Sequence, residues 1–155
     1  MAAERVTTSR RTAARNRLAM MTEKTFDCVL LADRHHGLTE GVRGLLETMF
    51  KTVVMVADEV SLQESAGRLQ PETVVVDISL AGDGSLHWLQ RLRQSCPGMK
   101  VIVVSIHDES CARQAAMDAG ADGFVLKRAI ATDLLPAIES LLTGPRHVAP
   151  ASKGA

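Results

Sequence analysis

The stretch from Thr73 to Gly84 constrains the fold of this chain more than any other. Three consecutive valines lead directly into a single carboxylate, Asp77, and a loop that contains glycine follows at once. A continuous apolar run of this kind is typical of a strand buried on both faces, as in a parallel sheet. Asp77 then lies at the carboxyl end of that strand, where open α/β sheets bind ligands. The alternative interpretation is that Asp77 only caps a turn or the next helix.

The rest of the chain alternates between short apolar runs and segments with helical periodicity. The β-prone runs fall at residues 28–32, 52–57, 73–77, 101–105 and 123–127. Apolar residues recur at helical spacing over 38–49, 60–69, 86–92, 109–119 and 134–142. Five strands that alternate with five helices predict an α/β fold with a parallel, doubly wound sheet.

Pro136 interrupts the last helical pattern. Inside a helix it would remove a hydrogen bond and clash with the preceding turn. We therefore predict that this helix begins late, with Thr132 or Asp133 as its N-cap and Pro136 in its first turn.

Length and composition exclude several classes of protein. The chain has 155 residues, enough for one domain, and no apolar run approaches the roughly 18 residues of a membrane span. We therefore expect no membrane partner. Cys28, Cys96 and Cys111 are odd in number and widely spaced. This pattern favours a reducing cytoplasm over a disulfide framework, and it contains no zinc motif.

Charge is distributed unevenly along a chain whose net charge is zero. Residues 1–24 carry six basic and two acidic side chains, a net charge of +4. Such a leader can be a nucleic-acid or membrane arm, a targeting peptide, a disordered extension, or the result of a start codon placed too early. We expect residues 1–24 to be a basic, disordered extension, 25–143 to be the folded domain, and 144–155 to be a flexible tail.

Four polar side chains stand at the carboxyl ends of predicted strands: Asp33, Asp77, Ser105 and Lys127. Because these ends share one edge of a parallel sheet, we expect the four side chains to meet there. A carboxylate can accept a phosphoryl group as a nucleophile. A hydroxyl can hydrogen-bond a phosphoryl oxygen, and a lysine can neutralise its charge. Each residue alone has an ordinary interpretation as a turn, a cap or a solvated end, but together they predict phosphoryl chemistry.

Four motifs carry a resemblance to a known family: VLLADRHH at 29–36, VVVDIS at 74–79, VIVVSIHD at 101–108 and GADGFVLKRA at 120–129. Over residues 26–143 the chain resembles the receiver domain of response regulators in two-component signalling, and most of all the receivers of regulators with a helix-turn-helix output. The resemblance implies a flavodoxin-like fold, with a five-stranded parallel sheet of order 2-1-3-4-5 and five helices.

The resemblance also implies a role for each site residue. Asp77 would be the phosphoacceptor, Ser105 the switch hydroxyl, Phe124 the switch aromatic and Lys127 the phosphate-binding lysine. The phosphoryl group would come from a histidine kinase or a phosphotransfer protein. A downstream protein partner would bind the surface of helix four, strand five and helix five. The formation of a homodimer is a further possibility. Such a domain is not an enzyme beyond its own phosphorylation and dephosphorylation.

Arg34 departs from the family pattern. The family has two adjacent acids after its first strand and uses Mg²⁺, for which Asp33, Asp77 and the backbone carbonyl of Ser79 are the ligands here. Arg34 occupies the second acidic position, and a guanidinium has only donors and cannot bind a metal. We expect Mg²⁺ to bind weakly or not at all, and Arg34 to pair with Asp77 or with the phosphoryl group. The alternative is an Arg34 side chain turned to solvent.

Three hypotheses about function follow. The first is a stand-alone receiver that is phosphorylated on Asp77, and the second is a pseudo-receiver that binds proteins without phosphorylation. The third is a small flavodoxin-like enzyme or nucleotide binder, which ranks last because the chain has no glycine-rich phosphate loop. Only about a dozen residues follow Leu142. We therefore expect a stand-alone domain, a regulator that has lost its output module, or a truncated chain, and no direct sequence-specific DNA binding.

Overall fold

The computed structural model describes residues 25–35 and 39–143. Five parallel strands form one sheet in the order β2-β1-β3-β4-β5, as the sequence predicts. The strands are β1 (Phe26–Ala32), β2 (Phe50–Val56), β3 (Thr73–Asp77), β4 (Lys100–Ser105) and β5 (Gly123–Leu126). The predictions for the leader at 1–24 and the tail at 144–155 lie outside the described residues.

Five helices cover the two faces of the sheet. They are α1 (Thr39–Glu47), α2 (Glu59–Leu69), α3 (His87–Ser95), α4 (Ser110–Asp118) and α5 (Ile130–Thr143), and a 3₁₀ turn at Lys127–Ala129 joins β5 to α5. One buried cluster packs one face of the sheet against α2, α3 and α4. A second cluster packs the other face against α1 and α5. All five residues of β3 are buried, because this central strand is covered on both sides.

Among the described residues, every helix lacks the combination of length and hydrophobicity that a bilayer span requires.

The register of the strands brings the predicted site residues to one edge. Ala32 pairs with Val76, so the residues that follow them, Asp33 and Asp77, end β1 and β3 at the same level. Ser105 is the last residue of β4 and pairs with Leu126, the last residue of β5. Lys127 follows β5 directly. The parallel pairing therefore explains why residues far apart in sequence meet at one place.

The second strand begins two residues earlier than its apolar pattern predicts. Its first residue is Phe50, which is fully buried. The ring of Phe50 packs at a tilt against the ring of Phe26, with 5.4 Å between the ring centroids. This contact extends the pairing of β1 and β2 back to their first residues, which a pattern of valines does not reveal.

The prediction of a late start for the last helix is wrong. Helix α5 begins at Ile130 and continues to Thr143, with Pro136 in its interior. Ile130 and Leu134 are both buried in the core, which fixes the first turn of the helix through tertiary packing. Pro136 lies on the exposed side of the helix. Core burial ahead of the proline therefore outweighs the hydrogen bond that the proline removes.

Pro136→Ala tests this balance. The substitution restores a backbone donor and removes the ring clash, at a small cost from the more flexible unfolded chain, so we expect the free energy of unfolding to rise by about 1–2 kcal/mol. Urea denaturation followed by circular dichroism measures it. Ser140→Ala, at another exposed position of α5, is the matched control and should change stability by less than about 0.5 kcal/mol. A destabilised Pro136→Ala variant would contradict the interpretation.

Candidate functional site

Lys127 joins the two acidic side chains at the edge of the sheet. Its ammonium nitrogen forms an ion pair with Oδ2 of Asp77 and lies 3.3 Å from Oδ2 of Asp33. Asp77 is only 4% exposed, and Lys127 and Asp33 are largely covered as well. Because β4 lies between β5 and β3, the lysine side chain reaches past the end of β4 to make these contacts. Of the four side chains that the sequence places at this edge, Asp33, Asp77 and Lys127 are in contact with one another.

The other carboxylate oxygen of Asp77 is held by Ser79. The backbone N–H and the hydroxyl of Ser79 both donate to Oδ1 of Asp77, each at 2.7 Å. The loop after β3 therefore begins as an Asx turn that fixes the orientation of the carboxylate. The sequence predicts a role for the backbone carbonyl of Ser79 but not the hydrogen bond from its hydroxyl to Asp77. An Asp followed two residues later by Ser is the signal that could have suggested it.

These contacts set the ionisation of the central pair. Burial alone would raise the pKa of Asp77, but hydrogen bonds from Lys127 and Ser79 and the charge of Lys127 outweigh it and lower that pKa. Burial alone would lower the pKa of Lys127, but its hydrogen bond and charge interaction with Asp77, joined by Asp33, raise that pKa. Asp77 is therefore a carboxylate, and Lys127 an ammonium, near neutral pH.

Ser105 and Phe124 lie on β4 and β5, the two strands that follow β3 in the sheet. Ser105 is fully buried at the end of β4, and its hydroxyl oxygen accepts a hydrogen bond from the N–H of His107 at 2.9 Å. Phe124 is half-buried in β5 and packs against the cluster that includes α4. The guanidinium of Arg113, in α4, lies over its ring at 5.5 Å from the centroid. The aromatic ring is therefore in contact with both the sheet and α4.

Arg34 is exposed and turns to the loop after β3 instead of to Asp77. Among the described residues, no carboxylate oxygen lies within the 4 Å of an ion pair from its guanidinium. The guanidinium lies against Gly82, where an added Cβ would collide with Nη1 of Arg34. Gly82 has a φ of +83°, a conformation that favours glycine in any case. The ion pair between Arg34 and Asp77 that the sequence suggests is not present in this arrangement.

One group of side chains in the described part of the chain could hold a cation. Ligand atoms of Asp33, His35 and Asp77 all lie within 4.8 Å of one another. The backbone N–H of His35 donates to Oδ1 of Asp33 at 2.8 Å, which keeps its imidazole near the carboxylate. The side chain of His35 is itself largely exposed.

Comparison with known proteins assigns the class. Residues 12–139 match the family model of the response regulator receiver domain, and the chain belongs to this family. Its curated relatives include the response regulator UvrY of Escherichia coli K12. UvrY is 30% identical over 125 residues, which are 78% of this chain and 56% of UvrY. The chain therefore spans a little over half the length of the curated relatives it matches.

Solved structures agree with this assignment. A two-component response regulator of the LuxR family from Aurantimonas sp. SI85-9A1 superimposes with a TM-score of 0.71 at 30% identity, and the match covers 79% of this chain and 89% of that one. RcsB of Salmonella typhimurium, studied for its conformational dynamism in DNA interaction, superimposes with a TM-score of 0.70 at 24% identity. The match covers 82% of this chain and 66% of that one. This second likeness shows the fold. Such relatives give no support to the expectation that the protein does not bind DNA.

The donor set suits Mg²⁺ poorly, although receiver domains generally bind this ion. Mg²⁺ requires near-octahedral oxygen coordination. Here both carboxylates already contact the ammonium of Lys127, and the third candidate ligand is an imidazole. The carbonyl of Ser79 accepts a hydrogen bond from the N–H of Gly82 at 2.9 Å. Arg34, the residue after Asp33, offers only donors. Each carboxylate and carbonyl oxygen of this donor set already has a hydrogen-bond or ion-pair partner in the protein.

Lys127→Met tests how much the central ion pair contributes to folding. The variant keeps an unbranched side chain but leaves the buried Asp77 carboxylate beside Asp33 without a cation, so we expect the free energy of unfolding at pH 7 to fall by about 3 kcal/mol. The folded-state pKa of Asp77 is lowered from 3.8. Its contribution is therefore present above that pH and lost as the pH falls through the folded-state pKa.

Urea denaturation at pH 7 and near pH 3 measures both effects, and the difference from the wild type should shrink at the lower pH. Lys51→Met is the matched control, because Lys51 pairs with Asp27 on the exposed surface, at 3.3 Å. It should cost less than about 1 kcal/mol. Equal losses in the two variants would contradict a stabilising role for the central pair.

Proposed function

We propose that this receiver domain, formed by residues 25–143, accepts a phosphoryl group on Asp77 and passes a signal to a partner protein. The observation that carries the proposal is the contact of the Lys127 ammonium with the buried Asp77 carboxylate. A lowered pKa keeps Asp77 charged, as a nucleophile requires, and Asp77 is the last residue of β3, at the carboxyl end of the sheet. The donor would be a histidine kinase or a phosphotransfer protein, as in two-component signalling.

The described residues can stabilise the product of that transfer. A phosphoryl group brings a charge of about −1.5 to −2 and strong acceptor oxygens. Lys127 already lies beside the accepting oxygen, and the Ser105 hydroxyl stands at the end of the next strand. A Ser105 that turns to the phosphoryl group gives up its contact with the N–H of His107. The conformation at the start of the β4–α4 connection would thereby depend on whether Asp77 is phosphorylated.

Phe124 supports a route from the site to the surface. Its ring packs beneath Arg113, so a displaced ring disturbs α4 as well as β5. A switch of this kind needs two arrangements of one element that a local charge can bias. We propose that α4, β5 and α5 form the surface that changes and that a partner protein binds there.

We also propose that Mg²⁺ binds more weakly here than at a site with two adjacent acids. Here the negative charges of Asp33 and Asp77 are matched by the positive charges of Lys127 and Arg34. A site with two adjacent acids has three carboxylates and one lysine, which leave an excess of negative charge. At separations of 4–6 Å, each replaced charge changes the interaction with a divalent ion by roughly several kcal/mol at an effective dielectric near 20.

A phosphorylation-independent pseudo-receiver is the second candidate function. Both oxygens of Asp77 are already engaged, one by Lys127 and one by Ser79, and the charges of the site balance without a phosphoryl group. In this case the conformation of the protein would be set by the partners that it binds. The two candidates differ in whether Asp77 reacts with a phosphoryl donor.

Intact mass spectrometry after incubation with acetyl phosphate separates them. We expect the wild type to gain the mass of one phosphoryl group, in a form that is stable in acid and labile in base, and Asp77→Asn to gain nothing. Asp83→Asn is the matched control, since Asp83 is exposed and caps the backbone of Ser85 at 2.9 Å. It should react like the wild type. No gain with acetyl phosphate or phosphoramidate, with or without Mg²⁺, would contradict phosphorylation and favour the pseudo-receiver.

A further inference from the structure

The Arg34 guanidinium is held at the rim of the acceptor site by the same loop that orients Asp77. Ser79 begins this loop with its two hydrogen bonds to Asp77, and Gly82 closes it through an N–H bond to the Ser79 carbonyl. The guanidinium lies against Gly82, in space that a side chain would fill. Arg34 itself follows Asp33 directly. The backbone of Arg34 therefore continues from the end of β1, and its guanidinium packs on the β3–α3 loop.

Other cations near the site are already engaged. Lys127 is paired with Asp33 and Asp77. Arg128 pairs with Asp108 at 2.9 Å on the exposed surface. In the described part of the chain, Arg34 has no carboxylate within ion-pair distance. Its charge is available to an anion that arrives at the site.

Phosphorylation of Asp77 would bring such an anion. The phosphoryl group adds about −1.5 to −2 charge, which Lys127 alone does not balance. A divalent metal is poorly accommodated because the second acid is absent. A guanidinium offers five donors in a planar fork that matches two phosphoryl oxygens. The side chain is long enough to turn from Gly82 to the neighbouring phosphoryl group.

We propose that Arg34 takes the place of the metal ion: its guanidinium binds the phosphoryl group, and Asp77 is phosphorylated without a divalent cation. The inference rests on the proposed function of Asp77 as acceptor. With acetyl phosphate as donor, an Asp77 oxygen forms a bond to phosphorus while the bond from phosphorus to the acetyl oxygen breaks. Acetate leaves with the electron pair. No proton transfer and no further reactant is needed.

The rate of phosphorylation by acetyl phosphate, followed by intact mass in excess EDTA and in millimolar Mg²⁺, tests this. For the wild type we expect the two rates to differ by less than about threefold, well below the tenfold or more that one charged contact contributes. Arg34→Asp restores the second acid and removes the guanidinium. It should lose about tenfold or more of the rate in EDTA and recover it with Mg²⁺.

Two control variants are needed. One distinguishes the positive charge of Arg34 from its bidentate geometry, and the other distinguishes a change at the site from a change elsewhere on the surface. Arg34→Lys keeps the charge without the bidentate geometry, so its rate in EDTA should fall between those of the wild type and Arg34→Asp. Arg68→Ala changes an exposed arginine in α2 and should leave both rates unchanged. Circular dichroism confirms that each variant folds. Calorimetric titration with Mg²⁺ alone gives a readout without phosphorylation: Arg34→Asp should bind the ion and the wild type should not.

The outcomes distinguish this inference from the proposed function. A wild type that reacts only with Mg²⁺, or an Arg34→Asp variant as fast as the wild type in EDTA, overturns the role of Arg34 and leaves Asp77 as acceptor. Tight binding of Mg²⁺ to the wild type also overturns it. No reaction of any variant under any condition overturns both.

Discussion

The contact of Lys127 with two carboxylates is the constraint on which the site depends. A buried carboxylate without a partner is costly, so the position of Asp77 in the centre of the sheet requires a cation beside it. That cation comes from the far side of β4 and must pass the end of that strand. Ser105, a small residue, ends that strand. The ion pair therefore joins the ends of β3 and β5 across β4.

Two cations accompany the two acids of this site. Lys127 pairs with both Asp33 and Asp77, and Arg34 directly follows Asp33, so the formal charges of these four side chains sum to zero. The two cations have different contacts. Lys127 holds the acids in place, whereas Arg34 rests on Gly82 and has no carboxylate partner among the described residues. In this arrangement Lys127 and Ser79 are the groups that keep Asp77 charged.

The sequence predicts most of the fold because apolar runs and helical periodicity mark buried strands and amphipathic helices directly. It also predicts which residues end the parallel strands. The helix around Pro136 is mispredicted, since the burial of Ile130 and Leu134 is a tertiary effect that local rules do not contain. The hydroxyl bond of Ser79 and the position of Arg34 on Gly82 depend on the path of a loop. Periodicity carries no information about such a path.

The stacking of Arg113 on Phe124 has a consequence for how information could travel in this domain. Coupling between two binding events is reciprocal, because each changes the free energy of the other by the same amount. Arg113 stands on an exposed position of α4, within reach of an acidic partner. If a partner binds this surface as proposed and draws the arginine away, it would free the ring of Phe124 and, by reciprocity, change the free energy of phosphorylation at Asp77. The proposed output surface would in this sense also be an input.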